Sequence, residues 1–335
     1  MEKSLEINFL RGEKLESVHR IHGALCSAEG QLMDSWGDPH YESYWRSGAK
    51  PFQIVPVLLR GGREKFSLKA EDIAVMSSSH NGELRHVERV LSLLKRAGVD
   101  EDMLECNPAH PLLLEAAFEV ARKGEAFRKV HHCCSGKHTG MILLAQLMKV
   151  EEASYRKSGH PVQVEIKNAI ARSIDFPSDY IEIGIDGCGV PVFWMSISSM
   201  ARAYAKLAAP EKAYLAENLT EALNEIREAM KKAPFFVAGS NRFETELMEA
   251  TNGEIVAKFG NEGIFCMAHS KSAEGLVLKV EDGSFQAMAP AALTLARQLG
   301  WISEEIYGSL WERELKALKN HWGEQVGGIQ AILSI

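Results

Sequence analysis

The chain has 335 residues, 46% hydrophobic and 25% charged, with a formal net charge of -7. That length allows one large or two ordinary domains with a sizeable core. The negative balance speaks against a surface that tracks phosphates, so no nucleic-acid partner is expected and small-molecule chemistry is the default. The opening MEKSLEINFLRGEKLE is charged throughout, and no later run approaches the roughly 20 apolar residues of a membrane span, so a soluble, cytoplasmic chain with no membrane partner is expected. From Ser17 to Tyr41, short apolar runs broken at AEG and GDP suit a β-hairpin. After Lys50, PFQIVPVLLRGG opens on proline and reads as a helix. Glu71 to Met76 (EDIAVM) reads as a short buried strand, and SSSHNGE then joins it to an amphipathic helix carrying Leu84, Val87, Leu91 and Leu94 and closed by Gly98.

Helices are expected at Leu112–Arg122, at Met141–Val150 and along PVQVEIKNAIARSI, opened by Pro161. YIEIGIDGCGVPVFW alternates like a strand and breaks at DGCG, and Met195–Leu207 and Leu215–Lys232 return to helical spacing. GEIVAKFGNEG, IFCMAHS and EGLVLKVEDGS read as strands, followed by helices near Pro290–Leu299 and Glu304–Asn320. No internal repeat or low-complexity linker interrupts the chain. Strands at both ends around a mainly helical middle predict an α+β fold, in which terminal strands share one antiparallel sheet beside a helical layer or subdomain of about residues 84–232.

Six cysteines, Cys26, Cys106, Cys133, Cys134, Cys188 and Cys266, are too scattered for a disulfide framework and are expected as thiols. Two of them fall in HHCCSGKHTG, His131 to Gly140. It is no phosphate loop, because His131 stands where the first glycine of G-x-x-x-x-G-K-[ST] belongs and His138 where the hydroxyl belongs. A metal fits better. With a helix starting near Ser135, Cys134 and Lys137 share its first turn, where the dipole favours a thiolate, and Cys188 in DGCG is a third candidate. No C-x-x-C pair exists for a structural zinc site, and ordinary buried thiols are the competing reading.

S-x-x-K puts a lysine one helical turn from a serine, where a neutral amine can take the hydroxyl proton. The pattern occurs at Ser47–Lys50, Ser92–Lys95 and Ser154–Lys157. Only Ser47 lies at a strand-to-helix junction, after Arg46 and before Pro51; the other pairs fall in an amphipathic helix and a charged surface stretch. In SSSHNGE, helix capping is the ordinary role of the serines, and presentation of a hydroxyl and backbone donors to an anion is the alternative. Lys258 in AKFGNEG stands on an expected strand before a glycine, like the K-[ST]-G strand of serine acyl-transferring enzymes. His86, His160 and His321 are read as incidental.

RSGAKPFQ, SSSHNGE, CSGKHTG, HPVQ, DGCGVPVF, AGSNRFETELM and KFGNEG occur in the order seen in the asparaginase II family, the Rhizobium-type L-asparaginases, and the chain resembles that family from VHRIHG to APAALTLARQLG. The resemblance implies one catalytic domain over residues 1–335, a fold like that of serine β-lactamases and glutaminases, and hydrolysis of L-asparagine to aspartate and ammonia by a homodimer. Carried onto this sequence, it implies Ser–Lys tandems Ser47–Lys50 and Ser79–Lys258. It also implies a zinc ion on Cys134, Lys137 and Cys188 with Asp186 nearby, and substrate contacts from Arg46, His80, Asn81, Gly82, Glu83 and Asp186. His132 and Cys133 depart from the asparagine-rich residues of the family, which bears on metal affinity and redox sensitivity. Asn261 replaces an alanine, which bears on substrate preference. A zinc amidohydrolase, a glutaminase or β-lactamase on the same scaffold, and a non-catalytic amino-acid-binding protein are the alternatives.

Overall fold

The computed structural model describes residues 3–316 and 318–334. Its strands are β1 (Ser4–Arg11), β2 (Lys14–Ser27), β3 (Leu32–Trp36), β4 (Glu42–Tyr44), β5 (Glu182–Ile185), β6 (Pro191–Ser196), β7 (Ile255–Gly260), β8 (Ile264–His269), β9 (Glu274–Val280) and β10 (Gly327–Ser334). The chain divides into two units, one of Met1–Ser43, Met195–Ala213 and Glu246–Ile335, the other of Tyr44–Trp194 and Tyr214–Thr245.

The first unit holds a seven-stranded antiparallel sheet in the order β10-β1-β2-β9-β8-β7, with β3 also on β2. The expected hairpin of residues 17–41 is β2 and β3, and the two ends of the chain meet as Ser4 pairs with Ser334 and Arg11 with Gly327. β7 and β8 are buried along their whole length, which is why IVAKFG and IFCMAH lack a polar alternation. The Ile197–Ala208 helix lies directly on β9: a side chain at Gly275 would place its Cβ 2.2 Å from Ala205 N, so only glycine permits that approach. The expected α+β class and shared terminal sheet are therefore present.

The second unit is mainly helical. Its Ser135–Met148 helix is buried from Ser135 to Ala145 and is packed by the helices Val55–Leu59, Ala70–Met76, Leu84–Ala97 and Pro161–Ile174. A helix surrounded in this way presents no solvent stripe, so its polar side chains must find partners inside the protein. β5 and β6 form a hairpin across DGCG, where Asp186 N–H donates to Val190 O at 2.9 Å and Gly189 N–H to Asp186 O at 2.8 Å. Among the described residues no helix is long and apolar enough to cross a membrane.

Several local expectations differ. EDIAVM is helix, Ala70–Met76, not strand. A short apolar run is compatible with either state, and here Asp72, fully buried, settles it by accepting from Lys69 N–H at 2.8 Å and pairing with Arg89 at 3.3 Å. The serines of SSSHNGE consequently follow a helix end and do not cap a helix start, since the Ser77 and Ser78 hydroxyls donate back to Ile73 O and Val75 O. The helix after Lys50 divides into Lys50–Gln53 and Val55–Leu59, each with a proline in its first turn; a mid-helix Pro56 would lack the N–H the ladder needs. Of the last expected helix, Glu304–Lys316 is observed, and residue 317 lies outside the described residues.

Candidate active site

Ser47 lies in the 3-10 turn Arg46–Ala49, which runs directly into the helix bearing Lys50. Arg46 takes a left-handed backbone (φ 51°), uncommon for a residue with a side chain, and its Nε donates to Asp186 Oδ1 at 2.9 Å. Ser47 is 9% exposed and Lys50 is 1% exposed. Lys50 Nζ stands 2.6 Å from Ser78 O, 2.8 Å from Ser79 Oγ and 3.3 Å from Cys134 Sγ. The hydroxyl held by this lysine is thus that of Ser79.

Ser79 and its neighbours hang between distant segments: Ser79 N–H donates to Val237 O, His80 N–H to Cys133 O and Asn81 N–H to Ala238 O. Gly136 lets the thiol-bearing helix close on the end of the Ala70–Met76 helix that leads into this loop, because a Cβ there would stand 2.1 Å from Val75 O. His80 is fully buried, and burial, reinforced by His86 and Lys50, drives its pKa well below the ordinary imidazole value. Its tautomer follows from its partners. Nδ1 accepts from Gly82 N–H, so Nε2 carries the proton and donates to Ser135 Oγ. Asn81 Nδ2 donates to Ser240 O, Glu83 accepts from both the N–H and the hydroxyl of Ser240, and Arg242 donates to Ser79 O and Asn81 Oδ1. Ser240 and Arg242, which fix the loop from behind, were legible only as part of the quoted AGSNRFETELM; their polar character carries no signal of this role.

Beside Lys50 lies a buried cluster of sulfur and nitrogen. Lys137 Nζ is 3.1 Å from Cys188 Sγ and 3.9 Å from Asp186 Oδ2, and Cys133 Sγ is 3.8 Å from Cys134 Sγ. Hydrogen bonds from Cys133 and Cys188, aided by Lys50 and Lys137, hold the Cys134 thiol well below its usual pKa despite burial. The same hydrogen bond to Cys134, together with burial, pushes Cys188 upward. Burial opposes the charge on Lys137, yet Cys188, Cys134 and Asp186 outweigh it and raise its pKa. The cluster therefore already stabilises a cation among thiol and carboxylate groups. Two soft sulfurs and an amine nitrogen suit a thiophilic ion such as zinc, and His132, Cys133 and Cys134 also bring ligand atoms within 4.8 Å of one another. His132 and Cys133 are the residues whose departure from the family pattern bears on metal affinity.

Arg46, Ser47, Lys50, Ser79, His80, Asn81, Gly82, Glu83, Cys134, Lys137, Asp186 and Cys188 all belong to the mainly helical unit. Lys258 belongs to the sheet unit, on β7, fully buried, with Nζ donating to Phe259 O at 2.9 Å.

Among solved structures the chain is similar to a β-lactamase from Mycobacterium bovis, with 12% identity over 82% of this chain and 94% of that one and a TM-score of 0.39. It is also similar to the octameric penicillin-binding protein homologue from Pyrococcus abyssi, with 14% identity over 90% and 78% of the two chains and a TM-score of 0.43. No curated protein matches it significantly in sequence. The profile described as L-asparaginase II matches residues 7–331, nearly the whole chain and every segment that builds the lysine–serine–thiol site, and the chain belongs to that family.

Proposed function

We propose that the protein is an L-asparaginase, hydrolysing L-asparagine to L-aspartate and ammonia with Ser47 as nucleophile and Lys50 as its base. Family membership supports an amidohydrolase. The observation that carries the serine chemistry is the buried Lys50 amine on Ser79 Oγ, three residues after a serine that remains 9% exposed. Lys50 Nζ lies within hydrogen-bond reach of the Ser78 carbonyl, the Ser79 hydroxyl and the Cys134 sulfur, and only its neutral form has the lone pair that a hydroxyl proton needs. Ser47 Oγ attacks the side-chain amide carbon as Lys50 takes its proton. Ser79, on the same nitrogen, relays that proton to the amide nitrogen of the intermediate, which departs as ammonia as the carbon–nitrogen bond breaks, and water then hydrolyses the aspartyl ester. Arg46 and Asp186 bind the charged end of the substrate, and His80, with both nitrogens engaged, positions the loop with Asn81, Gly82 and Glu83.

Cys134, Lys137 and Cys188 would hold zinc. When bound, the ion would orient the α-amino and α-carboxylate end of the substrate. Lys137 and both thiols must lose protons to ligate, so metal affinity falls as pH falls. The reading includes a cytoplasmic homodimer, which sedimentation of the purified protein checks for mass.

The experiment is ammonia release from L-asparagine beside L-glutamine and a β-lactam, with and without zinc and a chelator, in wild type and Ser47→Ala. Asparagine-selective release that is lost in Ser47→Ala and survives chelation with a raised KM is the expected outcome. Full activity of Ser47→Ala with abolition by chelator would replace this mechanism by direct attack of a metal-bound hydroxide. Binding without release from any substrate would make the chain an amino-acid-binding protein.

A further inference from the structure

The centre has more sulfur than the Cys134–Lys137–Cys188 set uses. Cys133 is only partly buried, and its Sγ stands 3.8 Å from Cys134 Sγ. A tetrahedral ion with metal–sulfur bonds near 2.3 Å sets its sulfurs about 3.8 Å apart. The two adjacent thiols therefore already stand at the separation that one ion imposes. His132 completes a His–Cys–Cys cluster by distance alone, but its chemistry disagrees. Its Nδ1 accepts from Cys134 N–H at 3.0 Å, so a neutral ring carries its proton on Nε2 and neither nitrogen has a lone pair to offer. Cys188 joins the cluster from the β5–β6 turn through Lys137. The remaining donors are three sulfurs and one amine.

We infer that Cys133 is a third sulfur ligand of this centre, making it a three-thiolate site that prefers strongly thiophilic cations such as cadmium over zinc. The inference rests on the reading above that a metal belongs at Cys134, Lys137 and Cys188. Soft thiolates select soft cations, and each oxygen or nitrogen donor replaced by sulfur strengthens that bias. Binding replaces the thiol protons by the ion, so each cysteine that ligates releases one proton and becomes inert to alkylation while the metal is held.

The test titrates metal-free protein with cadmium or zinc against a chromophoric chelator and reads the cadmium–thiolate charge-transfer absorbance per bound ion, which scales with the number of sulfur ligands. An absorbance of three thiolates per bound cadmium is expected in wild type and of two in Cys133→Ser, with cadmium affinity weakened at least about 10–100-fold, the loss seen even for outer-shell partners, and zinc affinity weakened less. Two-thiolate absorbance in both proteins with unchanged cadmium affinity would overturn the inference and leave the metal centre standing. Failure of either ion to bind wild type would remove the metal centre itself, and the inference with it, while leaving serine catalysis untouched. Should Cys133→Ser not fold, cadmium-113 resonance of the wild-type complex counts sulfur ligands without any variant: a three-sulfur shift supports the inference and a two-sulfur shift refutes it.

Discussion

Three stretches of this chain carry the same Ser-x-x-Lys spacing and only one of them is buried. At Ser47–Lys50 both residues are buried and the lysine has a carbonyl, a hydroxyl and a sulfur within 3.3 Å. At Ser92–Lys95 and Ser154–Lys157 both members are exposed. The spacing is identical, so what separates them is the surroundings: two of the lysines point to solvent, whereas Lys50 is enclosed with a hydroxyl in hydrogen-bond reach.

The largest effect that would sharpen this contrast is that of Ser47→Ala, expected to lower kcat by on the order of 10^4-fold or more, read by ammonia release, whereas Ser92→Ala should leave kcat unchanged. Lys50→Met is expected next, with a loss of roughly 10^2–10^4-fold; equal sensitivity of Lys95→Met would break the comparison. Arg46→Ala and Asp186→Asn remove a charged hydrogen bond worth roughly 1.5–3 kcal/mol, so KM for asparagine should rise about 10–100-fold with little change in kcat. A smaller effect concerns the helix that displays Ser92 and Lys95. On its buried face His86 Nε2 donates to Phe235 O, Nδ1 has no hydrogen-bond partner, and burial lowers its pKa to about 4. Below the unfolded value near 6.5 the unfolded chain binds a proton that the folded chain refuses. Urea denaturation should therefore show stability full above pH 6.5 and falling by about 3 kcal/mol as pH approaches 4. His86→Phe should flatten that slope. Least of all, Ser154→Ala and Lys157→Met should shift stability by no more than about 0.5 kcal/mol.

The helices with one apolar stripe and the hairpins with turn glycines were legible because each pattern is local. EDIAVM was not, because the charges that pair with its buried Asp72, Arg89 and Arg96, lie on another helix. β10 was not, because it gains its partner, β1, from the opposite end of the chain. The site shows the same division. Its residues were named through the ordered motifs of a family, but the pairing of Lys50 with Ser79 spans 29 positions and could not be inferred from the three-residue spacing that first drew notice. Cys133 looked like a departure in sequence and stands against Cys134 in space.

The loop that carries Ser79 is strung on Cys133, Val237 and Ala238, which has a consequence in time. A chain emerging from the ribosome displays Ser47, Lys50 and Ser79 early, yet the strut that fixes Ser79 and Asn81 arrives more than 150 residues later. Long closures of this kind form late, after local helices have settled. Nascent chains and fragments truncated before Val237 should therefore hold all three of these residues and remain inert, so activity itself reports that synthesis has passed Ala238 and that the strut has closed.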